Sequence, residues 1–464
     1  MKKIILSKLI NFFIFIIFSL FLNAQAIPDE FYDFKIKKLY LDAGENWSGN
    51  TVFGPIKYRN TIEQSDSLIT RIRFGSTIFN NRKILYTFGR FIFKKKFHGY
   101  FYSRIVDNSN KIERFSGIPR DIDREGFTSG ETDLSGISYE NEWMIIQLGR
   151  GRQSWGAGTD IHLALSRESN SYDYGMIDLN FSKVRVRYFH GYLETDSLSI
   201  NRYIVGRGIE WNNLKNLYVG FSEVVVYSGK NRPVDLSYFN PISTHLEIEL
   251  NDRQNKLGTD SGNGIWQFSL DYLIRDNIRL SGNYLFDEFI LDKEQKNEGK
   301  GNGTAFSLKG VYTPIKTNNS LFSFYYSIIN IGKNTFTHEE GKNNFVQRNN
   351  PLGWSIGNDS NEKKIGVNFL YHDNIITSLS FGNRNIGENN FINEPYKPYK
   401  DYLKDPSPSG NVENINSISF MLQYWWKPSF SIINQFEYNI SNTQENYYEW
   451  SVGIDFYYGL NIII

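Results

Sequence analysis

The sequence predicts an all-β protein: a transmembrane antiparallel β-barrel of about 18 strands, with its lumen plugged by inward-folded loops. Aromatic residues are frequent, with 30 Tyr, 36 Phe and 9 Trp, although the mean hydropathy is only −0.44. Many segments alternate apolar and polar residues with a period of two. The connections between these segments alternate between short turns and long polar loops, which is typical of outer-membrane barrels.

Composition limits the classes of function. The 464 residues carry a formal net charge of +1, which gives no overall attraction to nucleic acid, so we expect no nucleic-acid partner. The absence of cysteine excludes disulfides, thiolate zinc sites and cysteine nucleophiles. A helical membrane protein would be more apolar than this chain, whereas a membrane barrel combines an aromatic outer band with a polar interior.

Residues 1–26 have the features of a signal peptide. Lys2, Lys3 and Lys8 supply positive charge, and the apolar run from Leu9 to Leu22 is followed by small residues for cleavage. That run is shorter than the roughly 20 residues of a membrane-spanning helix, although an uncleaved anchor is the alternative. We therefore expect export and location in the outer membrane of a Gram-negative bacterium, with insertion by the outer-membrane assembly machinery.

The strand pattern is clearest at the C-terminus. From Trp450 onward every second residue up to Ile462 is apolar, so one face of this strand suits lipid. Such a terminal strand can close a barrel by pairing with the first strand. The same pattern predicts eighteen strands, at 67–78, 84–94, 97–107, 133–140, 142–150, 176–181, 184–194, 201–212, 215–227, 263–275, 277–289, 303–314, 320–332, 363–373, 375–384, 415–426, 429–440 and 447–460.

The predicted connections have two lengths. Short turns alternate with longer loops, which lie mostly at 108–132, 151–175, 228–262, 333–362 and 385–414. This alternation predicts a periplasmic end with short turns and an outer end with long loops. Residues 67–464 are expected to form the barrel, and residues 27–66 a periplasmic extension, an inner plug or an extra strand. A soluble sandwich or propeller, the alternative, would not explain one strongly aromatic face and long loops at one end.

The stretch from Gly149 to Gly191 has the densest cluster of Arg, Trp, Gly and Asp in the chain. Its first part, GRGRQSWGAG, enters an outer loop, and its glycines permit sharp turns or close backbone approach. The strand that follows alternates basic and apolar residues, so its basic face should line the lumen. The candidate ligand-binding residues are Arg150, Arg152, Gln153, Trp155, Asp173, Arg185, Arg187, Arg202, Glu210 and Glu223.

These residue types suit carbohydrate recognition at the lumen and its outer mouth. Trp155 would stack on a sugar ring, the arginines would contact acidic groups or seal a plug, and the carboxylates would position the arginines. The alternative is that the Arg–carboxylate pairs join an inward-folded loop to the wall and touch no ligand. The residue types do not decide between ligand binding and this structural role. Glu223 shares a strand face with Phe221 and Val225, so we expect it near a strand end or at a register break, because a charge facing lipid is costly.

Catalytic signals are weak. The sequence contains no H-E-x-x-H motif, and its six histidines are scattered without metal-ligand spacing. We expect a protein without catalytic residues, metal or cofactor.

Several segments resemble the Wzi family of capsule-assembly outer-membrane proteins, in its Bacteroidetes-like form. They are GRGRQSWGAG (149–158), YDYGMIDLNF (172–181), VRVRYFHGYL (184–193), RYIVGRGIEW (202–211), LYVGFSEVVVYSG (217–229) and YFNPI (238–242). The resemblance is specific over 143–242 and implies a plugged, eighteen-stranded, lectin-like barrel. It places the binding motif at Arg150, Arg152, Gln153 and Trp155. The family's best-known form has an N-terminal helical bundle, which is not expected here because residues 27–66 are short and show no clear helical period.

The expected function is therefore non-catalytic binding of an exported capsular or surface polysaccharide, which the barrel helps to attach or assemble at the cell surface. The expected partners are this polysaccharide and outer-membrane lipid. A passive porin for small solutes and a surface adhesion or motility barrel are the alternatives.

Overall fold

The computed structural model describes residues 32–44, 52–54, 68–80, 82–94, 96–107, 115–117, 126–255, 262–287, 290, 293–399, 402–404 and 406–463. The predicted signal peptide lies outside the described residues, as does most of 45–67.

Eighteen of the described strands form one closed antiparallel barrel, and two pairs of two-residue strands, Phe53–Gly54 with Ser154–Trp155 and Val346–Gln347 with Asn350–Pro351, lie outside this sheet. In chain order the barrel strands are β1 (Leu68–Phe79), β2 (Arg82–Phe93), β3 (Phe97–Val106), β4 (Ser129–Glu140), β5 (Met144–Gly151), β6 (Tyr172–Phe181), β7 (Val184–Thr195), β8 (Ile200–Asn212), β9 (Leu217–Lys230), β10 (Gly262–Arg275), β11 (Ile278–Phe286), β12 (Thr304–Lys316), β13 (Leu321–Ile331), β14 (Ser360–Tyr371), β15 (Ile375–Ile386), β16 (Glu413–Lys427), β17 (Phe430–Ser441) and β18 (Tyr447–Ile463). The predicted fold class is confirmed.

Closure joins the two ends of the strand series. β18 pairs with β1 in antiparallel register, from Ile69 opposite Ile463 to Phe79 opposite Gly453. The predicted closing role of the last strand is confirmed, and no barrel strand is left with a free edge for pairing with another chain.

Strand boundaries differ from the prediction where charge interrupts the apolar face. β6 begins at Tyr172, whereas the predicted strand begins at 176. Asp173 shares the outward face of β6 with the exposed Ile177, so the alternation expected of a lipid-facing strand fails at its start.

The two ends of the barrel differ in their connections. Every connection at one end is a short turn, and the chain enters β1 and leaves β18 at this short-turn end. The opposite, long-loop end carries the connections 107–128, 152–171, 231–261, 287–303, 332–359 and 387–412, together with three shorter ones.

Inward-folded connections fill the lumen. Residues 152–171 cross it, and Ala157 N donates to Asn283 Oδ1 of β11 (2.7 Å), while Ser307 Oγ of β12 donates to Ile161 O (2.6 Å). Connection 332–359 packs against 152–171, with Trp354 N donating to the carbonyl of residue 163 (3.0 Å). The largest buried apolar cluster is therefore inside the barrel.

A helix, α1 (Tyr32–Asp42), lies in the lumen at the short-turn end. Its Ile36 and Leu39 pack against Leu321 and Leu370 of the inner wall. The hydroxyl of Tyr40 donates to Asn318 O and Asp373 Oδ1 in two short turns, at 3.0 Å each. The expected lack of a helical period was wrong for α1, because its first six residues, YDFKIK, alternate apolar and polar residues as a strand would, and the barrel supplies most of the packing.

Two further short helices belong to connections: α2 (His245–Leu250) and α3 (Lys293–Asn297). None of the helices in the described part of the chain is both long and apolar enough to cross a membrane.

Glycines on the inner wall make room for a second part of the N-terminal region. Val52 and Phe53 are buried in the lumen against β8 and β9. A Cβ added to Gly220 would lie 2.3 Å from Val52 Cγ2, and one added to Gly208 would lie 2.4 Å from Phe53 Cζ. Neither distance is compatible with a side chain, so these two positions require glycine while the segment stays docked.

We expect Gly220→Leu to displace Val52 and Phe53 from the wall without unfolding the barrel, because the strands themselves remain paired. Hydrogen–deuterium exchange should become faster in a peptide containing residues 52 and 53. Gly310→Leu is the matched control, since a Cβ at Gly310 meets nothing within 4 Å. Unchanged protection of the peptide in Gly220→Leu would contradict the docking described here.

Candidate functional site

The ten candidate residues do not form one site. Seven of them lie inside the barrel or on its inner face: Arg152, Gln153, Trp155, Arg185, Arg187, Arg202 and Glu210. Three lie on the outer face: Arg150, Asp173 and Glu223. Arg150 and Asp173 lie at the long-loop end but face away from the lumen, contrary to the expected convergence on the lumen and its outer mouth, whereas Glu223 lies on the outward face that its strand pattern indicated.

Trp155 is enclosed by other side chains. Its exposed fraction is 1%. Its ring lies 4.9 Å from that of Phe53 and 5.2 Å from that of Phe189, between centroids, and its indole N–H donates to Gln153 Oε1 (3.2 Å). In this conformation both the ring and its N–H are occupied, so the geometry does not favour stacking on a sugar.

A buried ion cluster fixes the N-terminal segment to the wall. Arg185 Nε donates to Asp178 Oδ1 (2.8 Å), and Arg187 Nε donates to Asp178 Oδ2 (3.0 Å). Arg187 Nη1 also donates to Phe53 O (3.2 Å), and Glu210 Oε2 accepts from the backbone N–H of residue 52 (2.7 Å). These charged groups therefore bind each other and the N-terminal segment that contains Val52 and Phe53.

Arg152 and Gln153 hold the start of the inward loop. The guanidinium of Arg152 forms a buried ion pair with Asp133, in which Nη1 donates to Oδ2 (3.3 Å). The backbone N–H of Gln153 donates to the hydroxyl of Tyr172 (3.1 Å). Both contacts fix the position at which the chain leaves β5 for the lumen.

Arg202 holds the other inward connection. It pairs with Glu194 (2.6 Å) and donates to the carbonyls of Lys342 (2.6 Å), Asn344 (2.8 Å) and Val346 (2.8 Å). Carbonyls arranged around one guanidinium form a structural anchor, because all of the donors face protein.

Arg150 and Asp173 form an ion pair on the outer wall. Their side chains are 3.1 Å apart (Nη1–Oδ2), and that of Asp173 is 61% exposed. The exposed Leu148 and Ile177 lie on the same faces of β5 and β6. The pair sits at the long-loop end of these strands, where a charge next to an apolar band costs least.

Glu223 corrects a second expectation. It lies within β9 in unbroken register, opposite Arg207 of β8 and Trp266 of β10. It is buried although it faces outward, because residues 231–255, here called the outer shelf, fold over this part of the wall. The predicted strand end or register break was wrong, because a covering segment removes the contact with lipid.

An open cavity remains between the inward loops and the wall of β13, β14 and β15. Its volume is about 560 Å³. One side is lined by residues of the inward loop, namely Thr159, Asp160, His162, Ser166, Arg167 and Glu168, and the other lining residues include Lys38, Tyr325, Trp354, Glu362, Lys364 and Arg384. It combines two aromatic rings with charges of both signs.

Trp354 lines this cavity with a half-buried side chain. Its indole Nε1 is buried and donates to no acceptor among the described residues. Buried donors usually have partners, so this N–H is expected to bind a water molecule or a ligand group. Trp354 also packs against the largest buried apolar cluster inside the barrel, which holds its side chain in place.

Opposite Trp354 lies a charged group of wall residues. Arg384 donates to Glu362 Oε2 through Nε (3.1 Å) and Nη2 (2.9 Å), and Lys364 Nζ lies 3.5 Å from Glu362 Oε1. The side chains of Arg384 and Lys364 each remain 31% exposed. The exposed N–H groups of these two side chains can donate to hydroxyl or carboxylate oxygens of a ligand.

His162 contributes a neutral ring to the cavity wall. Burial lowers its pKa to about 4. Nε2 contacts Gly158 O (2.9 Å) and must donate to it, which leaves Nδ1 to accept from Ser154 Oγ (2.8 Å). The imidazole therefore supports the loop and adds no cation at neutral pH.

Few features of the sequence predict this cavity. Trp354 lies in a long polar loop, and Glu362, Lys364 and Arg384 look like ordinary inward residues of alternating strands. A lone tryptophan in a polar loop was the available signal. Within the described ranges, no three Asp, Glu or His side chains come together as a metal site.

Comparison with known proteins supports the architecture. The chain is similar to Wzi of Escherichia coli, described as a carbohydrate-binding β-barrel involved in group 1 capsule assembly, with a TM-score of 0.58 and 12% identity. The match covers 85% of this chain and 84% of that one. The chain has the fold of an outer-membrane β-barrel. No protein-family model and no curated protein sequence matches it.

The barrel is also similar to two solved structures from Pseudomonas aeruginosa. OprD gives a TM-score of 0.44 at 10% identity, covering 85% of this chain and 95% of that one. OpdK with vanillate gives 0.47 at 8%, covering 85% and 99%. At such identities the likeness, including that to Wzi, concerns the fold.

We expect Asp178→Asn to lower the free energy of unfolding by about 3–5 kcal/mol, because it leaves Arg185 and Arg187 buried without their carboxylate. Asp173→Asn is the matched control on the same strand. It should cost less than about 1 kcal/mol, since its ion pair is exposed. Unfolding by guanidinium in lipid vesicles measures both, and equal losses would refute the anchoring role of Asp178.

Proposed function

We propose that this protein is an outer-membrane barrel that binds an exported surface polysaccharide and retains it at the cell surface without catalysis. The single observation that carries the proposal is the cavity beside Trp354. It is lined by Trp354, whose indole N–H has no partner among the described residues, by a second aromatic ring in Tyr325, and by a charged group of donors and acceptors.

These groups match the chemistry of a sugar chain. Aromatic faces pack on the apolar faces of sugar rings, and guanidinium, ammonium and carboxylate groups bind hydroxyls. Because Arg384 and Lys364 outnumber the Glu362 between them, this side of the cavity also suits an acidic sugar. A volume of about 560 Å³ accommodates a short segment of polymer and not a folded partner.

The sequence motif has an indirect role in this proposal. Arg152, Gln153 and Trp155 fix the start of the loop whose later residues, Thr159 to Arg167, line the cavity. The cluster that resembles the capsule-assembly family would thus support the binding site by holding its loop in position, without contacting the ligand. The likeness to Wzi, itself described as carbohydrate-binding, is consistent with this function.

A passive porin fits the geometry less well. The connection 152–171 spans the lumen and is joined to β11 and β12 by hydrogen bonds, and α1 lies within the short-turn end. Steady passage of solutes would require these elements to move.

We expect Trp354→Ala to weaken binding of the surface polysaccharide purified from the producing bacterium about tenfold, which corresponds to about 1.4 kcal/mol. Trp354→Phe keeps an apolar ring but lacks the N–H, so its affinity should lie between those of the unmodified protein and Trp354→Ala. Trp426→Ala, at a 71% exposed outward position, is the control and should bind like the unmodified protein. Equilibrium binding to purified barrel measures all four proteins.

Equal affinity of all four proteins for the polysaccharide would show that the cavity is not the binding site. Absence of binding by the unmodified barrel, together with steady ion conductance in planar bilayers, would replace the proposal with a porin.

A further inference from the structure

The outer shelf, residues 231–255, lies against the outside of the barrel. Tyr203 and Val205 of β8 and Val225 and Tyr227 of β9 share the outward faces of their strands with the exposed Ile209 and Phe221. Nevertheless these four residues are buried, together with Tyr238 and Ile248 of the shelf. The shelf therefore replaces lipid or solvent on the half of these strands near the long loops.

A stack of rings joins the shelf to the wall. Tyr203 and Tyr227 lie 5.0 Å apart between centroids, and Tyr227 and Tyr238 lie 4.7 Å apart with planes only 11° from parallel. His245 continues the stack at 5.9 Å from Tyr238. Gly264 of β10 makes room for it, because a Cβ there would lie 2.5 Å from the imidazole.

The shelf also encloses an ion pair that would otherwise face the membrane. Arg207 Nε lies 3.1 Å from Glu223 Oε2. The backbone N–H of His245 and the indole N–H of Trp266 both donate to Glu223 Oε1, at 2.9 Å each. Arg207 Nη1 donates to Asn240 O at 3.2 Å. Charges on the outward face of a barrel are costly in lipid, and here the shelf supplies their partners.

The opposite surface of the shelf carries several exposed apolar side chains, with the partly exposed Glu247, Glu249 and Arg253 beside them. Leu236 is 75% exposed, Ile242 85% and Leu250 75%, and Phe239 and Leu246 are also exposed. α2 turns Ile248 to the wall and Leu246 and Leu250 away from it, with the i, i+4 spacing of one helix face. An exposed apolar patch of this kind marks a contact surface.

We propose that this surface contacts the acyl chains of the outer leaflet, so that the shelf is an integral, lipid-facing part of the barrel wall. Two observations identify lipid as the occupant. The exposed Ile209, Phe221 and Phe268 lie opposite one another on β8, β9 and β10, against which the shelf packs, and they form the membrane-facing band of the wall on the same outward side. A short helix with an apolar outward face is also the form that interfacial segments take.

This inference depends on the outer-membrane location in the proposed function, but not on polysaccharide binding. Its consequence is a barrel with an asymmetric footprint, wider in the outer leaflet along β7 to β10. The lateral extension would hold the long-loop end at a fixed depth and orientation relative to the membrane surface.

Single-cysteine spin labelling tests the proposal, because the chain has no native cysteine. A nitroxide would be placed at Ile242→Cys and Leu250→Cys, positions whose exposure makes misfolding unexpected. Phe268→Cys is the membrane-facing reference. Leu198→Cys is the control for an exposed leucine in the short connection between β7 and β8 (66% exposed). Collision with oxygen, which concentrates in lipid, is compared with collision with a water-soluble nickel chelate in phosphatidylcholine vesicles and in native outer membranes.

The expected result is a severalfold higher oxygen-to-nickel accessibility ratio at 242 and 250 than at 198, similar to that at 268, in both preparations. Ratios equal to that at 198 would overturn the proposal, because the shelf would then face water. Labels closed to both reagents in native membranes, but not in vesicles, would overturn it in favour of a protein partner. A water-like ratio at 268 as well would refute the membrane location itself, while polysaccharide binding by purified barrel would remain measurable separately.

Discussion

Closure of the sheet between β1 and β18 is the constraint on which the rest of the structure depends. Once the wall is closed, its outward residues face one continuous environment and its inward residues face a confined space. Strand alternation then assigns every side chain to one side. The charged inward residues must find partners inside that space, and the connections that enter the lumen provide them.

The lumen is therefore organised by charge as much as by apolar packing. Asp178 holds two arginines, one of which bonds the N-terminal segment, and Asp42 of α1 reaches Lys309 Nζ (3.0 Å) and Arg279 (3.3 Å) on the wall. Elements from distant parts of the sequence meet through such pairs. The open cavity lies where these pairings leave space beside β13 to β15.

The sequence was sufficient for the wall because a period of two is a local signal, repeated in each strand. It was insufficient for the contents of the lumen. Trp155 looked like a ligand-stacking residue, but Phe53, about a hundred positions earlier, covers it. Alternation also assigned Glu223 correctly to the outward face, yet could not reveal the shelf that buries it. Both outcomes depend on contacts between segments that share no periodicity.

The central claim is retention of a polysaccharide at the cell surface, and deletion of the gene tests it most directly. Cell-bound and released polymer would be measured, with total production as the reference. If the barrel retains the polymer, its deletion should shift polymer from the cells to the medium while total production stays constant. An unchanged cell-bound share would contradict retention, and would leave the filled lumen as a structural feature of a barrel with another function.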